Sequence, residues 1–131
     1  MTAGAKRMGS PRPKLLVKRV YEAATKDDGQ RVLVDRIWPR GMRKAELEDA
    51  IWLRELAPST LLRKWFGHES ERWIEFRKRY WKELEAAPEH VAALEALMKK
   101  GTVTLLYSAH DSEHNQTVAL KEYVQRSHRS R

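Results

Sequence analysis

The sequence predicts a single α/β domain with a small, mostly parallel sheet flanked by helices. The chain has 131 residues, which is the size of one domain. Its uncharged run Thr102–Ala109 predicts a strand that is covered on both faces. This run lies between two amphipathic helical segments. A helix–strand–helix order of this kind is typical of sheets with parallel neighbours.

Two strands are expected near the N-terminal end. Leu15–Tyr21 mixes β-branched with charged residues, and Arg31–Trp38 repeats that pattern after the turn-forming residues 27–29. We expect the second strand to end at Pro39, because proline cannot donate to a strand ladder. The segment AIWLRELAP, residues 50–58, fits either a strand or a short helix, since neither its length nor its periodicity decides; we favour a strand.

Three helices are expected between this segment and the uncharged strand. Ser59 is placed to cap a short helix through Trp65, with Gly67 as its stop. Ser70 is expected to cap a longer helix with an apolar stripe at spacings of three and four, formed by Trp73, Phe76, Tyr80 and Leu84 and widened by Ile74 and Trp81. Pro88 begins a third helix, which carries Val91, Leu94 and Met98 in register and stops before Gly101.

The last helix is expected to begin just after the uncharged strand. Asp111 or Ser112 would cap it, and its apolar positions are Val118, Leu120, Tyr123 and Val124. The stretch ERWIEFRKRYWKE, residues 71–83, interleaves aromatic and basic residues as nucleic-acid surfaces do. Its aromatic residues fall on one helical stripe and its acids offset the cations, so we interpret it as a buried stripe.

In open α/β sheets, ligands bind where parallel strands end and helices begin. If the segments ending at Trp38 and Ala109 are parallel neighbours, their exits share one site. That site would contain Asp35, Arg36, Trp38, Arg40 and Gly41 from the first segment and Ser108, His110, Asp111, His114 and Asn115 from the second. Arginines beside a helix start favour an anion. The alternatives are that Arg36 pairs with an acidic neighbour and that Asp111 only caps a helix.

His110 and His114 are the candidates for chemistry. Their spacing of four suits two metal ligands on one helical face, but the first precedes the predicted helix and no third histidine is near in sequence. We therefore predict no metal site, and we expect these histidines, with Asp111, to act as a general acid or base if a reaction occurs. His68, in the motif WFGH, is added as a ligand-binding candidate, although the aromatic pair before it suits core packing.

The formal charge of +8 is concentrated at the two ends of the chain. Residues 1–14 and 126–131 hold seven of the 26 basic residues and no acid, which leaves 19 basic residues against 18 acidic ones. We interpret these segments as a flexible basic N-terminal tail and a basic C-terminal tail around a domain at 15–125. Such tails are either solvated termini or weak contacts for nucleic acid.

Several classes of site are excluded by composition. The chain has no cysteine, so disulfides, thiolate nucleophiles and cysteine-bound metals are ruled out. No glycine-rich phosphate loop, GxSxG elbow or HExxH pair is present. No stretch has the length of a membrane span and the start lacks a secretory core, so we expect a cytoplasmic protein with no membrane partner. The sequence identifies no cofactor and no oligomeric state.

Four sequence blocks together resemble the YeaO-like family, a bacterial domain of unknown function. The blocks are RVLVDRIWPRGMRK, WLRELAPS, LRKWFGH and VTLLYSAHDSEHNQTVALKEYV, and the resemblance runs from Leu15 to Val124. It implies a cytoplasmic α/β domain but supplies no reaction. It points to Asp35, Arg36, Trp38, Pro39, Arg40, Gly41, Trp52, Glu55, Ala57, Pro58, Ser59, Trp65, Phe66, Gly67, His68, Asp111, His114 and Asn115.

The leading hypothesis is a protein that binds a small anion, such as a nucleotide or a phosphorylated metabolite, where the two predicted strands end. Arg36 and Arg40 would hold the anion, and His110 or His114 would move a proton in any reaction. The alternative is a nucleic-acid-binding or regulatory accessory protein that uses the basic tails. A third possibility is a protein-interaction domain without a ligand. Whether the protein is an enzyme stays open.

Overall fold

The computed structural model describes residues 14–129, and it confirms an α/β fold built on one sheet. The strands are β1 (Leu15–Arg19), β2 (Gln30–Leu33), β3 (Ile51–Trp52) and β4 (Val103–Tyr107). The helices are α1 (Thr60–Phe66), α2 (Trp73–Ala86), α3 (Pro88–Met98) and α4 (Gln116–Arg129). Short 3-10 turns occupy Lys26–Asp28, Lys44–Leu47, Arg54–Leu56 and Ser70–Arg72.

The four strands form a parallel sheet in the order β1-β4-β2-β3. β4 lies between β1 and β2, and all five of its residues are buried. In the register of the sheet, Leu33 of β2 lies beside Leu106 of β4, and both strands run in the same direction. The prediction of a central, covered strand next to a parallel neighbour is therefore confirmed. Its consequence is that the segments that follow β2 and β4 leave the sheet at the same edge.

Each face of the sheet has its own covering layer. Alternate strand residues, such as Val32 and Leu105, join the larger core cluster with buried residues from all four helices. The next residues along, Leu33 and Leu106, face the other way and pack with Leu47 and neighbouring apolar side chains of the long loop between β2 and β3. The helices thus cover one face, and a loop covers the other.

The second strand is shorter than predicted, because it ends at Leu33 and not at Trp38. One more ladder-type hydrogen bond follows, from the Val34 N–H to the Leu106 carbonyl. Among the described residues, the carbonyl of Asp35 makes no further backbone bond of this kind and accepts from the indole N–H of Trp52 at 2.6 Å. This side-chain contact takes the chain out of the ladder, and residues from 35 onward become a wall of the site.

The helix predictions hold for most elements. Ser59 caps α1, and Gly67 ends it in the left-handed conformation with φ of 51°. Pro88 stands in the first turn of α3 as expected. Two details are wrong. Ser70 begins a 3-10 turn and does not cap α2, which starts at Trp73, and Ile74 is 63% exposed because it points away from the stripe.

The ambiguous segment at residues 50–58 contains both of the structures considered for it. A two-residue strand pairs with β2 and is followed at once by a 3-10 turn. α4 extends through Arg126 to Arg129, which the sequence assigned to the C-terminal tail. The rest of the predicted tails, residues 1–13 and 130–131, lies outside the described residues. Between residues 14 and 129, none of the helices has the length and apolar character that a membrane crossing requires.

Candidate functional site

A cavity of about 300 Å³ opens at the sheet edge where β2 and β4 end. Six segments line it: the exits of β2 and β4, the segment before α1, α1 with His68 beyond its end, one residue of α2, and the start of α4. The lining residues are Asp35, Arg36, Ile37, Trp38, Pro39, Arg40, Ala57, Pro58, Arg63, Phe66, His68, Phe76, Ser108, Ala109, His114, Asn115 and Gln116. The volume lies at the lower end of the range of small-molecule sites, about 300–1,000 Å³. The cavity therefore suits a compact ligand.

The start of the loop after β2 is fixed by contacts with two other elements. The side-chain amide of Gln116, the first residue of α4, donates to the Val34 carbonyl at 2.7 Å and to Oδ1 of Asp35. On the other side, Trp52 binds the Asp35 carbonyl. Farther along, the indole N–H of Trp38 donates to the Met42 carbonyl at 2.8 Å. These bonds hold the loop in one conformation, so the residues that line the cavity are preorganised.

Arg36 lines the cavity, but its guanidinium is bound to the protein. Its Nη2 donates to the Ala57 carbonyl at 2.8 Å, its Nε to the Pro58 carbonyl at 3.2 Å, and its Nη1 to the carboxylate of Glu55 at 3.2 Å. The alternative prediction, that Arg36 pairs with an acidic neighbour, is therefore confirmed, and the neighbour is Glu55. These bonds tie the β2 exit to the segment before α1.

Two other arginines of the lining have free guanidinium groups. Arg40 lies in the loop after β2, and Arg63 lies on α1; both are exposed. Neither guanidinium makes a hydrogen bond or an ion pair with another residue in the described part of the chain. Two unpaired cations at one cavity attract an anion, and arginine binds carboxylates and phosphates with two parallel N–H donors.

The position of Arg63 follows from the way α1 is built. Oγ of Ser59 accepts from the Leu62 N–H at 3.1 Å and also donates to Glu83, so the helix start is anchored to α2. Leu62 and Phe66 then face the core one turn apart, and Arg63 is the neighbour of that buried face. His68 follows the helix with φ of 61°, a conformation uncommon for residues other than glycine. This turn directs the chain so that His68 also lines the cavity.

The loop after β4 prepares the start of α4. Oδ1 of Asp111 accepts from the backbone N–H groups of Glu113 and His114, which closes a turn. The prediction that Asp111 or Ser112 caps the helix is wrong, because α4 begins only at Gln116. Asn115 is the cap, and its Oδ1 accepts from the N–H groups of Thr117 and Val118. These bonds occupy N–H donors of the first turn that would otherwise have faced a ligand.

Asp111 and His114 form a hydrogen-bonded pair at the cavity wall. Oδ2 of Asp111 lies 2.9 Å from Nδ1 of His114, and this bond holds the pKa of the carboxyl below its usual range. The imidazole also packs edge-on against Trp73, with ring centroids 5.3 Å apart. When Nδ1–H donates to the carboxylate, Nε2 is left as a proton acceptor, which is the arrangement of a general base.

Asp35 is the buried acid of the site. Only 9% of the residue is exposed, and its Oδ2 has no hydrogen-bond partner among the described residues. Burial raises the pKa of this carboxyl, although Ser108, Gln116 and the charge of Arg63 act in the opposite direction. A buried acid with a raised pKa in a cleft marks a candidate functional residue.

The structure brings together nine of the eleven predicted site residues. Asp35, Arg36, Trp38, Arg40, His68, Ser108, His114 and Asn115 line the cavity, and Asp111 contacts it through His114. His110 and Gly41 are exposed and are not part of the lining. Instead, Nδ1 of His110 lies 3.3 Å from the Arg19 guanidinium, which also binds the carbonyls of the β4 exit. Among residues 14–126, whose side chains the structure describes, there is no group of three or more histidine or acidic side chains that could hold a metal ion.

Sequence reasoning missed several residues of the cavity. The most consequential are Arg63 and Gln116, which supply a free cation and the amide that binds Asp35. The available signal for Arg63 was its place beside the buried stripe of a capped helix. Gln116 gave no signal of this kind, because its partner lies 81 residues away in the chain.

Comparison with known proteins identifies the family. A family model described as the inactive DUF488-N3 subclade matches residues 14–131, nearly the whole chain. The chain belongs to the inactive DUF488-N3 subclade. This assignment, with the relatives below, confirms the resemblance to the YeaO-like family.

Uncharacterised relatives from three bacteria match two thirds or more of the chain. The chain is 41% identical over 107 residues to Uncharacterized protein YeaO of Escherichia coli K12, which spans 82% of this chain and 93% of that protein. It is 49% identical over 88 residues to Uncharacterized protein Rv3073c of Mycobacterium tuberculosis H37Rv and to Uncharacterized protein Mb3100c of Mycobacterium bovis. Those two matches span 67% of this chain and 74% of each relative. No solved structure gave a significant match.

Proposed function

We propose that this protein binds a small anionic molecule, such as a nucleotide or a phosphorylated metabolite, in the cavity at the ends of β2 and β4. The observation that carries the proposal is the pair of unpaired guanidiniums, Arg40 and Arg63, on one cavity of about 300 Å³. The two arginines belong to separate elements, the loop after β2 and α1, so the ligand would contact both elements. The description of the family as inactive supports a binding role over turnover.

The assignment of the anion contacts differs from the sequence hypothesis in one respect. Arg36 was the first candidate, but its guanidinium already binds two carbonyls and a carboxylate. Recruiting it would break these bonds and loosen the loop that forms the cavity wall. Arg63, which has no such bonds, is the better partner for Arg40. His68 and His114 add neutral or charged donors to the same lining.

The test is titration calorimetry with inorganic phosphate, nucleoside monophosphates and sugar phosphates, in a buffer free of phosphate and sulfate. Trp38 lies in the lining, so its fluorescence gives a second readout. Arg63→Gln should weaken binding at least tenfold, as expected when a charge-assisted hydrogen bond is lost. Lys64→Gln is the matched control, because Lys64 is the exposed neighbour of Arg63 on α1 and is not part of the lining. Absence of binding by all of these compounds would refute the proposal.

The Asp111–His114 pair supports a second proposal, acid–base chemistry on the bound molecule. In it, Nε2 of His114 would accept a proton from the ligand while Asp111 orients the ring. NMR spectra of each bound compound over several hours would reveal turnover. The reaction should disappear in His114→Gln and persist in His110→Gln, because His110 lies outside the cavity lining. If no compound that binds is altered, binding alone is the function.

A further inference from the structure

We infer that the anion bound in this cavity carries a hydroxyl group, which donates a hydrogen bond to the carboxylate of Asp35. The inference rests on the proposed function and deepens it, because it names the ligand class as hydroxylated phosphates, of which sugar phosphates are the simplest examples. Arg40 and Arg63 would bind the phosphate, and Asp35 would accept a hydrogen bond from the hydroxyl.

The first observation is that Asp35 is only partly satisfied. Gln116 donates to Oδ1, but Oδ2 is shielded from solvent and receives no hydrogen bond from a described residue. A buried carboxylate oxygen without a donor is costly, and such orphans in native proteins call for a specific explanation. Because the residue lines the cavity, a donor on the ligand supplies one. The terminal torsion of aspartate is broad, so rotation of the carboxyl can bring Oδ2 to the cavity surface that Asp35 lines.

The charges around Asp35 decide which kind of donor fits. The positive charge of Arg63 already acts on the Asp35 carboxyl, and Arg40 lies in the same lining. An ammonium group on the ligand would be repelled by these guanidiniums, whereas a hydroxyl is neutral and still donates. The phosphate itself would be repelled by the carboxylate, so it has to lie on the arginine side. The cavity therefore orients the ligand with its hydroxyl toward Asp35.

Neighbouring groups offer further hydrogen bonds to a hydroxylated ligand. Ser108 lies against the Asp35 carboxyl and is part of the lining, and its hydroxyl oxygen is left as an acceptor for a second hydroxyl of the ligand. Phe66 and Phe76 give part of the lining an apolar surface. A site built in this way rejects an analogue without the hydroxyl, because the buried acceptor then stays unpaired.

The test compares two phosphates of nearly equal size, glycerol 3-phosphate and n-propyl phosphate, by titration calorimetry on the full chain. We expect glycerol 3-phosphate to bind at least about tenfold more tightly, the effect of one hydrogen bond to a charged group. Equal binding of the two compounds would overturn the inference and leave the anion site standing. If neither compound nor inorganic phosphate binds, the proposed function fails as well.

Asp35→Asn separates recognition from a merely structural role. The variant keeps an oxygen for Gln116 but loses the negative charge, so the preference for glycerol 3-phosphate should fall to about twofold or less. Binding of n-propyl phosphate should become tighter at the same time, because repulsion between the carboxylate and the phosphate is removed. A structural role would change both affinities by the same factor, and that result would refute the inference. Asp49→Asn, which lies outside the lining, is the matched control and should keep the preference.

Discussion

The side chain of Gln116 binds both the carbonyl of Val34 and the carboxylate of Asp35, and so joins the first residue of α4 to the exit of β2. The contact closes the cavity on the side of the sheet, because the two segments it joins each supply part of the lining. It also gives Oδ1 of the buried carboxylate a donor. The stability of the fold and the shape of the candidate site thus depend on the same amide.

Gln116→Ala should lower the free energy of unfolding by about 1–3 kcal/mol, because it leaves a buried carboxylate oxygen and a backbone carbonyl without their donor. Urea denaturation at pH 7 measures the difference. Gln125→Ala is the control on the same helix; Gln125 is exposed, and its replacement should change stability by less than about 0.5 kcal/mol. Equal losses in the two variants would contradict the role assigned to Gln116.

Ser59→Ala should destabilise the protein by about 1 kcal/mol, because the cap of α1 loses its hydrogen bond to the Leu62 N–H and its bond to Glu83. The sequence predicted a helix cap at Ser70 as well as at Ser59, but Ser70 begins a 3-10 turn without a capping bond. Ser70→Ala is therefore the paired control and should be nearly neutral. A comparable loss at Ser70, measured by thermal unfolding, would restore the prediction from sequence.

The central position of β4 was predictable from the sequence, whereas the order of the other strands was not. Thr102–Ala109 has no charge, so it had to be covered on both faces, and a covered parallel strand needs neighbours on both sides. The start of α4 was not predictable in the same way. Asp111, Ser112 and Asn115 are all residue types that cap helices, and they lie within five positions. Only the tertiary structure determines which of them stands where the helix begins.

The lining residues at the ends of β2 and β4 were predictable from the sequence. The lining residues that α1 supplies were not. Asp35 and Ser108 follow directly from the parallel pairing of β2 and β4. Arg63 depends on the way α1 packs on α2 and the sheet, and the local pattern shows only that Arg63 lies beside the buried stripe of α1. The position of Arg36 in the cavity lining was predicted correctly. Its availability to a ligand was not, because its N–H groups donate to the carbonyls of Ala57 and Pro58.

Gly29→Ala should be the most damaging of the glycine replacements. Gly29 has φ of 64°, and a Cβ there would lie 2.2 Å from the Thr102 carbonyl oxygen, which is fixed in the backbone before β4. We expect a loss of more than about 3 kcal/mol, since strain at positive φ of about 1–2 kcal/mol adds to a backbone clash. Gly67→Ala has a similar φ but only an ordinary contact, at 3.5 Å from the Lys64 carbonyl oxygen. It should cost about 1 kcal/mol, and similar losses in the two variants would argue against the clash.

Asp35→Asn should make the protein more stable at pH 7. Burial raises the pKa of Asp35, so the folded protein holds this proton more tightly than the unfolded chain. The stabilising effect of the protonated group is complete below the unfolded pKa and is lost as the pH rises through the folded pKa. Where the buried carboxylate is ionised, replacing it by a neutral amide should raise the free energy of unfolding by up to about 3 kcal/mol. The gain should shrink as the pH falls and the carboxyl takes up its proton.

Asp28→Asn should show the opposite pH dependence in the same urea denaturation series. Burial alone would raise the pKa of Asp28, but hydrogen bonds from Lys18 and Thr25 outweigh it and lower the pKa. The stabilisation by this carboxylate is therefore present above the unfolded pKa and is lost as the pH falls through the folded pKa. The variant should be less stable than the parent at pH 7, and the difference should narrow in acid. If both variants are less stable than the parent at pH 7, the carboxylate of Asp35 is not a source of instability.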